Sequence, residues 1–245
     1  MRIAYVCFDP GVPVFGCKGS SVHVQEVLRE FRRRGFDVDL FASRIGGPHP
    51  KGLEAVTVLP LQSIRDKEGR FSSGLCRASN ENLNTLLDMR GPYDLIYERY
   101  SLFTSAAMEF AKRNHLPGLL EVNSPLLEEQ AQYRTLDNAE LAEAMTRKAI
   151  GAAGATLVVS DSVVPYVRGF RNSESQIHVI PNGVDCSRFM PQDTKSNAQN
   201  NDTTTIGFVG TLKPWHGVSD LIEAFGNVFQ QLTPARLLVI GDGPQ

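Results

Sequence analysis

Residues 1–41 read MRIAYVCFDP GVPVFGCKGS SVHVQEVLRE FRRRGFDVDL F, and this stretch decides the fold. Ile3–Phe8 is a short apolar run that ends at Asp9-Pro10, too short for the core of a secretory signal. Asp9–Ser20 carries Gly11, Gly16 and Gly19 and reads as a loop. From Ser21 to Arg34, Val24, Val27, Leu28 and Phe31 recur at helical spacing. The segment closes on Arg32-Arg33-Arg34-Gly35, cations on a last turn followed by a glycine stop. Val38–Phe41 is apolar again. Strand, loop, amphipathic helix and strand in this order form a crossover unit, the connection that joins parallel strands.

The pattern continues outward. Ala55–Leu59, Leu95–Tyr97, Leu119–Val122, Thr156–Val159 and Ile177–Ile180 are further candidate strands with amphipathic segments between them. The fold class is therefore α/β: residues 1–190 are expected to form a parallel sheet with helices on both faces. Residues 191–205 are polar and almost free of large apolar groups, so they read as a linker or long surface loop. Residues 206–245 open a second unit. Ile206–Val209 is a strand, Val218, Leu221, Ile222, Phe225, Val228, Phe229 and Leu232 make one helical stripe, and Leu237–Ile240 is a second strand before Gly241-Asp242-Gly243-Pro244-Gln245. Two parallel strands do not make an independently stable sheet. This unit is expected to be the incomplete start of a second domain, its stripe short of partners.

Composition narrows the function. The formal net charge is −2, which argues against nucleic acid as a partner. No stretch of about 18 apolar residues is present, so no segment is expected to span a membrane. Peripheral membrane contact stays open through Arg32–Arg34, although a solvated helix end explains the same residues. Cys7, Cys17, Cys76 and Cys186 show neither metal-ligand spacing nor a disulfide framework, and are read as reduced thiols of a cytoplasmic protein.

Three loops could carry chemistry. A glycine-containing turn between the first strand and first helix can hold an anion on backbone amides. It is not a dinucleotide fingerprint, because Gly16 and Gly19 stand three apart without a Gly-x-Gly-x-x-Gly pattern. Gly210-Thr211-Leu212-Lys213-Pro214-Trp215-His216-Gly217 repeats the strand-to-helix arrangement, and Lys213 there could neutralise phosphate. Asn182-Gly183 within Ile180–Asp185 signals a turn. Glu98-Arg99 ends a strand where open α/β sheets bind ligands, and an exposed ion pair is the simpler account of Arg99. His23 either faces a cleft or caps a turn. Glu128 and Glu129 suit the start of a helix.

Taken together, Gly16–Val27 with Arg33–Val38, Leu120–Leu127, Val158–Ser162, Ile177–Arg188, and Gly207–Ala224 with Ile240–Pro244 resemble the family-four glycosyltransferases. The order of a PNGVD turn, a linker, GFVGTLKPWHGVSDLIEAF and GDGP is the specific part. The resemblance implies two Rossmann-like domains in the GT-B arrangement and sugar transfer from a nucleotide-sugar donor, as in polysaccharide biosynthesis. It implies retention of configuration, with no cofactor and no obligatory metal. It places the donor diphosphate at Gly16, Gly19, Gly210, Thr211, Lys213 and His216, and the turn Asn182, Gly183 and Asp185 near the interdomain crossing. Asn123 stands in the catalytic slot where the family often has His. Asn can hydrogen-bond a sugar hydroxyl but cannot carry a proton. Thr211 and His216 replace the family's usual Arg and Lys. The family's downstream glutamate pair has no counterpart up to Gln245.

On this reading the chain is a transferase fragment with a glycan, lipid-linked or small-molecule acceptor. It is not expected to turn over alone, and a downstream C-terminal fragment is a candidate partner. The alternatives are a non-catalytic remnant that binds a partner or glycan and, ranked lower, a sugar-nucleotide epimerase, which would need carboxylate and histidine groups in its cleft. A dinucleotide oxidoreductase ranks last.

Overall fold

The computed structural model describes residues 1–133, 135–171, 176–190, 203–229 and 234–243. The chain divides into two compact units, Met1–Cys186 and Ser187–Gln245. Residues 191–202 of the expected linker, Leu232 of the helical stripe and Pro244 lie outside the described residues.

In the first unit the strands are β1 (Arg2–Cys7), β2 (Asp37–Ala42), β3 (Thr57–Pro60), β4 (Leu95–Arg99), β5 (Gly118–Val122), β6 (Ala155–Val158) and β7 (Ile177–Val179). They form one sheet in the order β3-β2-β1-β4-β5-β6-β7, and every neighbouring pair is parallel. The expected α/β class and Rossmann-like sheet are thus observed. The helices are α1 (Gly19–Arg33), α2 (Ser73–Arg90), α3 (Ala106–Arg113), α4 (Leu126–Tyr133), α5 (Ala139–Ala152) and the short α6 (Val164–Arg168).

Successive side chains of a strand point to opposite faces, and the sequence uses both. Ile3, Tyr5 and Cys7 pack with Val24 and Leu28 of α1, while Ala4, Val6 and Phe8 pack with Leu83 and Leu87 of α2, Met108 of α3 and Ile150 of α5. Helices therefore cover both faces, as a parallel sheet requires. This is why β1 is buried at every position from Ile3 to Cys7 rather than at alternate ones. Burying a Leu or Ile side chain contributes about 1.5–3 kcal/mol, so these two cores dominate the stability of the unit.

The strand order reverses direction between β1 and β4. In open α/β sheets the ligand crevice lies outside the carboxyl ends of the strands at that switch point. Cys7 pairs with Arg99 and Arg99 with Glu121 in register, so the ends of β1, β4 and β5 lie side by side there.

The second unit contains β8 (Thr204–Val209), α7 (Val218–Phe229) and β9 (Ala235–Ile240), with β8 and β9 parallel. Thr204 and Thr205, assigned to the linker from sequence, instead begin β8, and β-branched threonines suit a strand. Val218 is buried, whereas Ile222 and Val228 of the same helical stripe are exposed. Val209, Leu238 and Ile240 are exposed apolar residues of the two-stranded sheet.

Candidate functional site

β1 is joined to α1 by the loop Phe8–Lys18. Val14 and Phe15 donate backbone hydrogen bonds to the carbonyls of Arg44 and Ile45, and Gly16 donates to Pro13 at 2.8 Å. The buried Gln25 of α1 donates to the carbonyls of Val14 and Gly16 at 3.0 and 2.9 Å. The loop is therefore held by the helix it introduces. A Cβ at Gly16 would come within 2.9 Å of the Pro13 ring, so glycine is required for packing. A Cβ at Gly19 would meet nothing within 4 Å. No side chain caps α1, and its N-cap residue Lys18 is extended. An uncapped helix start presents backbone N–H groups and the positive end of a dipole, which suits an anion.

Beside this loop a buried polar cluster has formed. Tyr5 and Cys7 of β1, Tyr97 and Arg99 of β4, and Glu121 of β5 share odd numbers, and strand alternation with the observed register sets them on the face that α1 covers. Glu121 is its centre. Its Oε1 accepts from His23 Nε2 at 2.7 Å, from Asn123 Nδ2 at 2.6 Å and from Arg99 Nη1 at 3.3 Å. Its Oε2 accepts from the Tyr97 hydroxyl. Tyr97 in turn stacks on Tyr5, with ring centroids 5.1 Å apart.

Burial by itself would raise the Glu121 carboxyl, but the hydrogen bond and charge of His23, the Tyr97 hydroxyl and the Arg99 charge outweigh it. The group lies below its ordinary value and is ionised. Tyr97 moves the other way: burial, and then the Glu121 charge, push its hydroxyl far up, so it stays protonated as a donor. Burial raises the Cys7 thiol to about 12, which makes it an inert core group rather than a nucleophile.

One expectation is corrected here: Arg99 is not in an exposed ion pair, since its side chain is 12% exposed and its partner Glu121 5%. Of the two readings of His23, a cleft residue or a turn cap, the structure shows a side chain bonded to Glu121. Asn123 follows β5, is half-buried, and keeps its Oδ1 buried without a partner. The residue that sequence reasoning missed is Glu121. The available signal was a lone carboxylate inside the otherwise apolar run Leu119–Val122, since a charge in such a strand survives only if it is paired.

Glu98 takes the opposite face. It is buried, neither carboxyl oxygen has a partner, and burial raises it to about 8. Asn182 and Gly183 are exposed after β7, and Asp185 is half-buried near the end of the first unit.

In the second unit the loops after β8 and β9 are zipped together. Gly210 donates to Ile240 at 3.0 Å, and Leu212 donates to Asp242 at 2.7 Å. Gly241 has φ +149°, and a Cβ on it would collide with the Gly210 carbonyl oxygen. His216 Nδ1 is hydrogen-bonded to the Thr211 carbonyl, and Gly217 (φ +63°) turns the chain into α7. Thr211, Lys213 and His216 are thereby gathered in one short loop. Among the described residues no group of three His, Cys, Asp or Glu side chains could hold a metal ion. No helix among them is long and apolar enough to cross a membrane.

The sequence model of Glycosyltransferase Family 4 matches residues 18–188, more than half of the chain. The chain belongs to glycosyltransferase family 4. The D-inositol 3-phosphate glycosyltransferase of Xylanimonas cellulosilytica is 24% identical to it over 249 residues, covering 91% of this chain and 58% of the relative. This family 4 chain thus spans well under two thirds of that relative's length. WaaG, a glycosyltransferase involved in lipopolysaccharide biosynthesis, has a TM-score of 0.63 at 15% identity, over 99% of this chain and 64% of its own. Anabaena HepE, solved in complex with UDP-glucose, has a TM-score of 0.58 at 18% identity, over 99% and 61%. At these identities the structural matches establish a shared fold, and the α/β sheet of this family 4 chain is the one found in those glycosyltransferases.

Proposed function

We propose that the chain serves a glycosyltransferase that takes a nucleoside-diphosphate sugar as donor and transfers the sugar with retention of configuration. The observation that carries this reading is Asn123, held by Glu121 at the carboxyl edge of the sheet and close to the switch point, with a buried oxygen in need of a donor. A sugar hydroxyl is such a donor. The uncapped start of α1 at Gly19 in the first unit, and Lys213 with Thr211 and His216 in the second, are each suited to phosphate oxygens. The UDP-glucose of HepE supports a uridine nucleotide as the first donor to try. No metal or cofactor enters the proposal.

The His23–Glu121 pair supplies the histidine and carboxylate that an epimerase would need. However, four donors surround this carboxylate and keep it ionised, which suits binding and orientation rather than proton transfer.

The test is incubation of the 245-residue polypeptide, and of longer forms that extend its second unit, with UDP-glucose and other nucleotide sugars. Release of nucleoside diphosphate by an extended form, with the anomeric configuration kept in the product, supports the reading. We expect the 245-residue polypeptide by itself to fall well below about 1 turnover per second, because the described second unit is one strand–helix–strand. A sugar nucleotide returned with one inverted stereocentre and no diphosphate release would establish the epimerase instead.

A further inference from the structure

We infer that Glu121 is a positioning residue: it fixes the Asn123 carboxamide with Nδ2 on the carboxylate and leaves Oδ1 as a buried acceptor, which makes that oxygen selective for a donating group such as a hydroxyl. This rests on the donor reading above and deepens it. An Asn amide can be turned by half a revolution without changing its shape, so its orientation has to be decided by its neighbours. Here the neighbour decides it. The Asn123 atom 2.6 Å from Glu121 Oε1 is Nδ2. With the carboxylate ionised, the turned amide would set two acceptor oxygens against each other at that distance.

Glu121 itself cannot turn away. Tyr97, Arg99 and His23 hold it from two other elements, β4 and α1, and it is nearly fully buried. The consequence falls on Oδ1 of Asn123, which is buried and has no partner. A buried acceptor without a donor is costly, so a donor is expected to be supplied when the site is filled. A phosphate oxygen, a ring oxygen or a fluorine cannot supply one, whereas a hydroxyl can. The group that meets Asn123 Oδ1 is therefore a hydroxyl of the donor and not a phosphate oxygen. A lone asparagine could present either end of its amide at this position, and the carboxylate fixes the oxygen there.

Two measurements test this. The first needs no ligand. In the ¹⁵N–¹H spectrum of the 245-residue polypeptide, one Asn123 side-chain proton should be strongly downfield and protected from exchange, and Glu121→Gln should move it back. An ordinary Asn123 signal that Glu121→Gln leaves in place overturns the positioning role. The second compares UDP-glucose with its deoxyfluoro analogues, sugar hydroxyl by sugar hydroxyl, on a form that binds the donor. One substitution should weaken binding about tenfold in the wild type, Asn123→Ala should abolish that difference, and Glu121→Gln should narrow it below about threefold. Full discrimination retained by folded Glu121→Gln, but lost in Asn123→Ala, overturns the role of Glu121 and leaves Asn123 as a sugar contact. Discrimination unchanged in Asn123→Ala overturns both. Failure of every form to bind any nucleotide sugar overturns the donor reading, and the spectrum then decides the Glu121–Asn123 contact separately.

Discussion

His23 Nε2 lies 2.7 Å from Glu121 Oε1, although 98 positions separate the two residues in the chain. The contact joins the first turns of α1 to the end of β5. It ties the glycine-bearing loop, which Gln25 of the same helix also grips, to the strand that delivers Asn123. The geometry of the two halves of the candidate site is thus coupled through one carboxylate.

Tyr97→Phe should test how much that carboxylate depends on its donors. The variant keeps the ring stacked on Tyr5 and removes only the hydroxyl bonded to Glu121. A hydrogen bond to a charged group contributes about 1.5–3 kcal/mol, and a loss of stability in that range is expected from urea unfolding. A change below about 0.5 kcal/mol would mean that the bond contributes nothing net.

Glu98→Gln should stabilise the protein in a pH-dependent way. The folded-state value of Glu98 is raised from 4.5 to about 8, with burial as the cause. Between those values the folded state holds a proton that the unfolded state has released, so stability is full below about 4.5 and declines as pH rises toward 8. Gln stays neutral throughout. The variant should match the wild type near pH 4.5 and exceed it by a few kcal/mol near pH 8 in thermal or urea unfolding. Equal pH profiles would show that Glu98 is solvated or paired.

Lys213→Ala should weaken nucleotide-sugar binding by about 1.5–3 kcal/mol in a form that binds the donor, the range for a charge-assisted hydrogen bond. Lys213 is the one lysine or arginine in the loop Gly210–Gly217. Calorimetric titration with UDP-glucose is the measurement, and an unchanged dissociation constant would place the phosphate contact elsewhere.

Gly241→Ala should damage the second unit and spare the first. The residue sits at φ +149°, and its new Cβ would meet the carbonyl oxygen of Gly210, which breaks the zip between the loops after β8 and β9. Amide exchange should accelerate across Thr204–Ile240 and stay unchanged across β1–β7. Uniform loss of protection in both units would show that they unfold together.

The sequence by itself determined the elements and the fold class. Short apolar runs such as Ile3–Phe8 and Leu119–Val122 are too short for helices and read as strands, and the stripe Val24–Phe31 repeats at helical and not strand spacing. It also marked Gly16, Gly210 and the final glycines as special, and the close approaches at Gly16 and Gly241 supply the reason. Only the tertiary structure decided which polar residues meet. Period two places Glu121, and Asn123 just past the strand, on one side of β5, but nothing local says that this side is shared with Tyr97, Arg99 and His23. That follows from the strand order and from the register Cys7–Arg99–Glu121, which are set by ladder hydrogen bonds between distant segments. A buried carboxyl group stays ionised only where its donors have arrived, as at Glu121 and not at Glu98, so the centre of this site is fixed by the fold and not by its neighbours in sequence.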